Sequence, residues 1–310
     1  MTAQGRFRAM GTRCHVLVNA PAPQAQQLVD LAQNRVELLE QCWSRFRSTS
    51  ELSTLNERAG TGAVAVSDDL HTLVSHMQRA WAETDGLFDP TVLTAMRAWG
   101  YDDDFATVAA RTAVTAAVAA TSAPGMAQVR ITDDAVSLPA GVGLDPGAIG
   151  KGLAADLIAT DLLAAGATGV LVNLGGDIAL GGEPIADPDT DASWHITIDD
   201  ERSPDTVLET IALPAPLAHA GIATSTTLTR RWAQGRRHHV IDPRTGAMGA
   251  DDLVQVTVVA AQAWWAEAAA TAALLMPSDT ARAWLTERGL SGILLTADDR
   301  IGVGSLEVTA

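Results

Sequence analysis

The run Asp145-Pro-Gly-Ala-Ile-Gly-Lys151-Gly152 constrains the fold more than any other stretch, because a helical pattern follows it directly and a strand follows the helix. Leu153, Leu157, Leu162 and Leu163 recur at helical spacing, Gly166 closes the helix, and residues 169–174 read as a buried strand entering Gly175-Gly176-Asp177. A glycine-bracketed turn, a helix and an apolar strand in succession commit the chain to helices layered on a sheet. The rest of the sequence repeats the alternation. Strands are predicted at the alternating end of 7–19 and at 194–199, 208–213, 217–220, 254–260 and 292–296, with a hairpin over 129–138. Helices are predicted at 24–46, at 67–81 behind a Ser67-Asp68-Asp69 cap, at 261–275 and at 279–288, with a short turn over 50–56. Residues 105–122, rich in alanine and threonine, read as a plain helix without chemistry. With no internal repeat and no composition break, the expectation is a mixed α/β (α+β) fold. It forms one unit over 1–310, a substantial β-sheet flanked by helices with room for two lobes, and 297–310 form a loose tail.

Charge narrows the partners. At a formal −16 the chain lacks the basic surface that nucleic acid or an anionic membrane requires, so any anion it binds must be held locally. No apolar run reaches the length of a membrane span. The first residues carry arginines without an apolar stretch behind them or a lipobox cysteine, so a cytoplasmic location is expected. Cys14 and Cys42 have no zinc-type spacing and read as packing residues. Of 21 basic residues one alone is a lysine, Lys151, and it stands in the glycine turn, which points to a task for a compact ammonium.

That turn suits phosphate. Glycines let the backbone approach a bulky ligand, a helix N-terminus offers unpaired N–H groups, and the lysine adds a point charge, although the spacing is not that of a Walker loop. The alternative is an ordinary strand-to-helix turn. Gly175-Gly176-Asp177 and Gly181-Gly182 form a second glycine cluster that by itself marks only a tight turn. Ala223-Thr224-Ser225 followed by Arg230 and Arg231 sets hydroxyls beside guanidinium groups. In His238-His239-Val240-Ile241-Asp242-Pro243, an imidazole or the carboxylate that proline holds extended has the chemistry for proton transfer; a polar strand end is the plain alternative. Glu267 and Thr271, four apart on one helix, share a face and offer two hard oxygens, fewer than the six magnesium takes.

Taken in order, these segments resemble the ApbE family of FAD:protein FMN transferases from Met10 to about Met276. The matches are Met10-Gly-Thr12, residues 44–56, Phe88-Asp89-Pro90-Thr91-Val92 with Trp99-Gly100, residues 145–156, Gly175-Gly176-Asp177, Ala223-Thr224-Ser225, residues 239–246 and 266–272. The resemblance implies that Met10, Phe46, Leu87, Phe88, Asp89, Asp145, Lys151 and Ile241 contact FAD. It implies a magnesium ion held by the Ala148 carbonyl, Glu267, Thr271 and a group at Ala270. The implied reaction is attack by a threonine or serine hydroxyl of an acceptor protein on the FMN-side phosphorus of FAD, with AMP leaving and His239 or Asp242 taking the proton. Three positions depart from the family: Glu267 stands for aspartate, Thr226 for the glycine after Ser225, and Phe46 for a tyrosine. Two other readings share the site: FAD pyrophosphatase activity giving FMN and AMP, and FAD binding without catalysis.

Overall fold

The computed structural model describes residues 1–111, 121–184, 193–203, 205–250 and 252–306. Its centre is an eight-stranded sheet, antiparallel throughout, in the spatial order Thr2–Ala9, Thr12–Asn19, Gly169–Leu174, Asp177–Gly182, Leu217–Thr226, Gln255–Ala260, Ser291–Leu295 and Arg300–Val303. Eight α-helices lie among the described residues, so the expected mixed α+β architecture is observed.

One face of the sheet carries the helices. Along Gln24–Trp43 the apolar positions Leu28, Val29, Ala32, Val36, Leu39 and Trp43 are buried, as a 3.6-residue period requires, and they pack with Cys14, Val16 and Val18 of the second strand. The Ala263–Leu274 helix is apolar on nearly every side because it is enclosed between the sheet and the Gly150–Ala164 helix. Its alanines, with Gly152 opposite, let the two helices approach closely. A Cβ on Gly152 would stand 2.5 Å from the Ala263 carbonyl oxygen. On the other face the hairpin Ser193–Asp199/Val207–Pro214 buries Trp194, Ile196, Ile198 and Ile211 against Leu171, Ile178 and Leu180. A small three-stranded sheet, Val64–Ala65, Ala135–Ser137 and Arg130–Ile131, lies apart from the large one.

Several local expectations change. The strand expected at the end of 7–19 is Thr12–Asn19, and an unexpected strand, Thr2–Ala9, joins it in a hairpin whose turn is Met10-Gly11, with φ of 49° and 69°. The first strand alternates exposed and half-buried positions, but its inward set is Ala3, Gly5, Phe7 and Ala9, three small residues and one ring, which carries little apolar signal. Residues 51–57 are a helix rather than a turn, and its N-cap Ser50 accepts from the Ser53 N–H at 3.0 Å. The strand predicted at 217–220 runs on to Thr226, so Ala223, Thr224 and Ser225 lie within the sheet. The expected tail contains the strand Arg300–Val303, paired to Ser291–Leu295. Of the helix predicted over 105–122, Phe105–Ala110 is observed, and 112–120 lie outside the described residues.

Candidate active site

A cavity of about 400 Å³ opens where the Met10-Gly11 turn, residues 44–47, Leu87–Pro90, the 145–151 loop, the end of the Leu217–Thr226 strand and the 239–241 segment converge. All eight residues expected to contact FAD (Met10, Phe46, Leu87, Phe88, Asp89, Asp145, Lys151 and Ile241) line it.

The Gly150–Ala164 helix points its N-terminus into this cavity and carries Lys151 in its first turn. The Lys151 ammonium donates to Asp177, and to Glu267 Oε1 at 2.7 Å, while Glu267 Oε2 accepts from the Gly152 N–H at 2.8 Å. Glu267 therefore fills an orphan donor of the helix end and neutralises the lysine at once. Both carboxylates are nearly enclosed. Burial, then repulsion from Asp177, pushes the Glu267 carboxyl up, against the pull of Lys151 and Gly152. Two carboxylates facing one ammonium can take up one more positive charge, as a proton on Glu267 or as a further cation.

A second wall is built from residues distant in sequence. Asp145 Oδ1 accepts from the Gly147 N–H at 2.7 Å, and Oδ2 lies 2.7 Å from Arg45 Nε, in an ion pair whose side chains are each 4% exposed. Arg45 in turn lies over the rings of Phe46, at 4.1 Å, and Tyr101, at 4.6 Å. Phe46 is 43% exposed and shows its ring to the cavity mouth. Asp89 caps the short turn beginning at Pro90 through Thr91, and burial raises its pKa despite bonds from Thr91 and Trp81.

His239 lines the cavity and Asp242 does not. The Nδ1 atom of His239 is buried without a hydrogen-bond partner, and burial, together with Arg230, His238 and Lys151, pulls its pKa down to about 3, so the ring is neutral. The Asp242 carboxylate instead holds Arg244, through Nε at 2.9 Å and Nη2 at 2.8 Å, and caps its own turn through the Arg244 N–H. Of the expected metal positions, Ala148, Glu267 and Thr271 line the cavity, and the Thr271 hydroxyl is 2.8 Å from Ser225 Oγ. Ala270 is fully buried in its helix and off the cavity wall. Thr226 lines the cavity, and its hydroxyl donates to the Val254 carbonyl and accepts from the Leu228 N–H.

Asp177, Arg45, Tyr101 and Arg230 belong to the site and were not singled out from sequence as ligand contacts. Asp177 was visible only as the end of a glycine turn. Arg230 carried the signal of the Thr-Ser…Arg-Arg segment; Arg231 is turned to the carbonyls of Thr227 and Gly235 instead.

The model of the ApbE family matches residues 10–294. The FAD:protein FMN transferase of Rhodobacter capsulatus is 29% identical over 299 residues, covering 94% of this chain. The chain spans about half, 55%, of that relative's own length. The FAD:protein FMN transferase of Treponema pallidum is 28% identical over 309 residues, covering 94% of this chain and 84% of the relative. Among solved structures, the ApbE protein of Thermotoga maritima superposes with a TM-score of 0.84 at 23% identity over the whole of both chains. The flavin transferase ApbE of Vibrio cholerae gives 0.78 at 24% identity, over 99% of this chain and 98% of the other. These last two establish the fold, and the family match spans nearly all of the chain: it belongs to the ApbE family.

Proposed function

We propose that this protein is an FAD:protein FMN transferase, moving the FMN half of FAD onto a serine or threonine hydroxyl of an acceptor protein and releasing AMP. The observation that carries the reading is the meeting, in one cavity, of a lysine ammonium at a helix N-terminus with a neutral imidazole whose Nδ1 has no partner. The first suits a pyrophosphate, and the second leaves a lone pair open to the proton of an attacking hydroxyl.

The donor chemistry fits a magnesium ion. Among the described residues no three His, Cys, Asp or Glu side chains converge on one point, so the protein supplies only part of an octahedron. Glu267, the Thr271 hydroxyl and the Ala148 carbonyl would hold the ion, with Asp177 adding charge beside Glu267, and waters or substrate phosphate would complete it. When bound, magnesium would supply charge neutralisation at the phosphates. Lys151 binds a phosphate oxygen as it leaves its carboxylate partners. Phe46, backed by Arg45, offers a flat face for a ring. The acceptor hydroxyl forms a bond to the FMN-side phosphorus while the bridging P–O bond to AMP breaks, and the hydroxyl proton passes to His239 Nδ1. Asp242, engaged by Arg244, is not used.

Incubation with FAD and magnesium, with and without a candidate acceptor, tests the reading by product analysis. Flavin bound covalently to the acceptor supports it. Free FMN alone indicates the pyrophosphatase, and unchanged FAD in every condition indicates a binding protein.

A further inference from the structure

The outer face of the large sheet is only half covered. Over its middle strands lies the Ser193–Asp199/Val207–Pro214 hairpin, and among the described residues the cluster beneath it reaches the first hairpin only at Leu17. Phe7, Ala9, Cys14, Val16 and Val18 turn inward to the helices, so strand alternation turns Arg6, Arg8, Arg13 and His15 outward. There they rim an open depression of about 500 Å³ that Asn173 also lines.

The register makes this arrangement costly. Arg8 pairs directly with Arg13 across the hairpin, which sets like charges face to face, and Arg6 faces His15, whose pKa burial and Arg6 hold down. None of the three arginines has an acidic partner among the described residues, in a chain whose acids outnumber its bases 37 to 21. Protection of an edge strand accounts for Arg6 and Arg8 on Thr2–Ala9, but not for Arg13, which lies on the inner strand Thr12–Asn19. The patch also adjoins the cavity: Arg8 and Arg13 stand two residues to either side of Met10-Gly11, the turn that lines it.

We propose that this face is the docking surface for an acidic segment of the acceptor protein, holding it by guanidinium–carboxylate pairs so that its hydroxyl reaches the cavity lip. Arginine forks match carboxylates, and a local positive field on an acidic protein both steers such a partner and rejects basic ones. The proposal rests on the transferase reading for the partner's identity, but its test does not.

The test is binding of a fluorescein-labelled octaglutamate peptide to the full chain, followed by anisotropy, with FAD binding measured in parallel. The parent binds the peptide with an affinity that falls as salt rises from about 50 to about 300 mM. Arg8→Glu/Arg13→Glu binds it at least ~10-fold more weakly, with FAD affinity unchanged. Arg8→Gln/Arg13→Gln, which removes the repulsion without adding charge, also loses peptide affinity while melting no lower than the parent. Equal peptide binding by parent and both variants overturns the proposal. So does tighter binding of a DNA duplex or of phosphatidylserine vesicles that the same variants abolish, since the face then serves another partner. Failure of the parent to bind FAD would count against the transferase reading alone.

Discussion

Asp156 and Glu267 cap each other's helices. Asp156, on Gly150–Ala164, accepts from the N–H groups of Ala263 and Trp264, both at 2.9 Å, and Glu267, on Ala263–Leu274, accepts from the N–H of Gly152 at 2.8 Å. Each carboxylate lies at the positive end of the other's helix, and the exchange fixes the two helices against one another. Lys151 and Thr271 are thereby held in register across the cavity, with Gly152 permitting the contact.

The two caps separate by mutation. Asp156 does not line the cavity, so Asp156→Ala is expected to cost about 1–2 kcal/mol of stability, the usual range for a lost N-cap, partly relieved if water reaches the freed N–H groups. Urea melts read the loss. FAD turnover of the folded fraction, in excess magnesium, is expected to stay within about threefold of the parent. A tenfold fall would mean that Asp156 acts on the site itself.

Glu267→Ala removes a cap and a charge together. Stability is expected to fall by about 1–3 kcal/mol, because the Gly152 N–H and Lys151 lose an enclosed partner. Magnesium-dependent FAD turnover is expected to collapse. Glu267→Asp is expected to keep substantial turnover, since a carboxylate remains on the same helix face. Turnover by Glu267→Ala equal to the parent's, or activity unchanged by excess chelator, would remove the metal from the reading.

Much of this site was legible before the fold was known, and the boundary has a physical cause. Lys151 stood out because it is the single lysine and glycines bracket it; Glu267 and Thr271 stood out because four residues make one helical turn. Local spacing carries such signals. Arg45 gave none, because its meaning lies in partners at positions 101 and 145 that only the tertiary fold brings to it. Asp177 was hidden likewise, its lysine being 26 residues away. Sequence could not choose between His239 and Asp242, which lie three apart. The fold separates them, since Asp242 turns back to Arg244 and His239 turns to the cavity. The first strand escaped for the opposite reason: its inward positions are Ala3, Gly5, Phe7 and Ala9, too small for the most part to mark an apolar face.

Lys151→Ala tests the phosphate assignment. With Asp177 and Glu267 left facing each other, the cavity becomes more negative, and a pyrophosphate is repelled where it was attracted. Affinity for FAD is expected to fall at least ~10-fold, and affinity for riboflavin, which has no phosphate, by much less. Fluorescence quenching titrations of both ligands against the folded variant provide the comparison. Equal losses for the two would show that Lys151 shapes the pocket rather than binding phosphate.

His239 makes a pH prediction with a definite sign. In the unfolded chain its pKa is the ordinary 6.5, and in the folded protein burial, Arg230, His238 and Lys151 bring it down to about 3. Above pH 6.5 both states are neutral and the residue adds no pH dependence. Between about 6.5 and about 3 the unfolded chain holds a proton that the folded protein does not, so stability rises with pH there and is lost as pH falls. The contribution to the slope is at most about 1.4 kcal/mol per pH unit. His239→Asn cannot titrate, so the difference in unfolding free energy between variant and parent should grow in the variant's favour from about pH 7 to about pH 5 in FAD-free protein. Carboxylates that titrate lower down, Asp242 among them, are common to both proteins and cancel in that difference. The same neutrality bears on turnover: a base that stays unprotonated through pH 6.5 predicts a rate that does not halve there, as it would for an exposed imidazole. A parallel pH dependence of stability in parent and variant, with a rate midpoint near 6.5, would show that His239 titrates as a solvent-exposed imidazole does and would remove the orphan nitrogen as the proton acceptor.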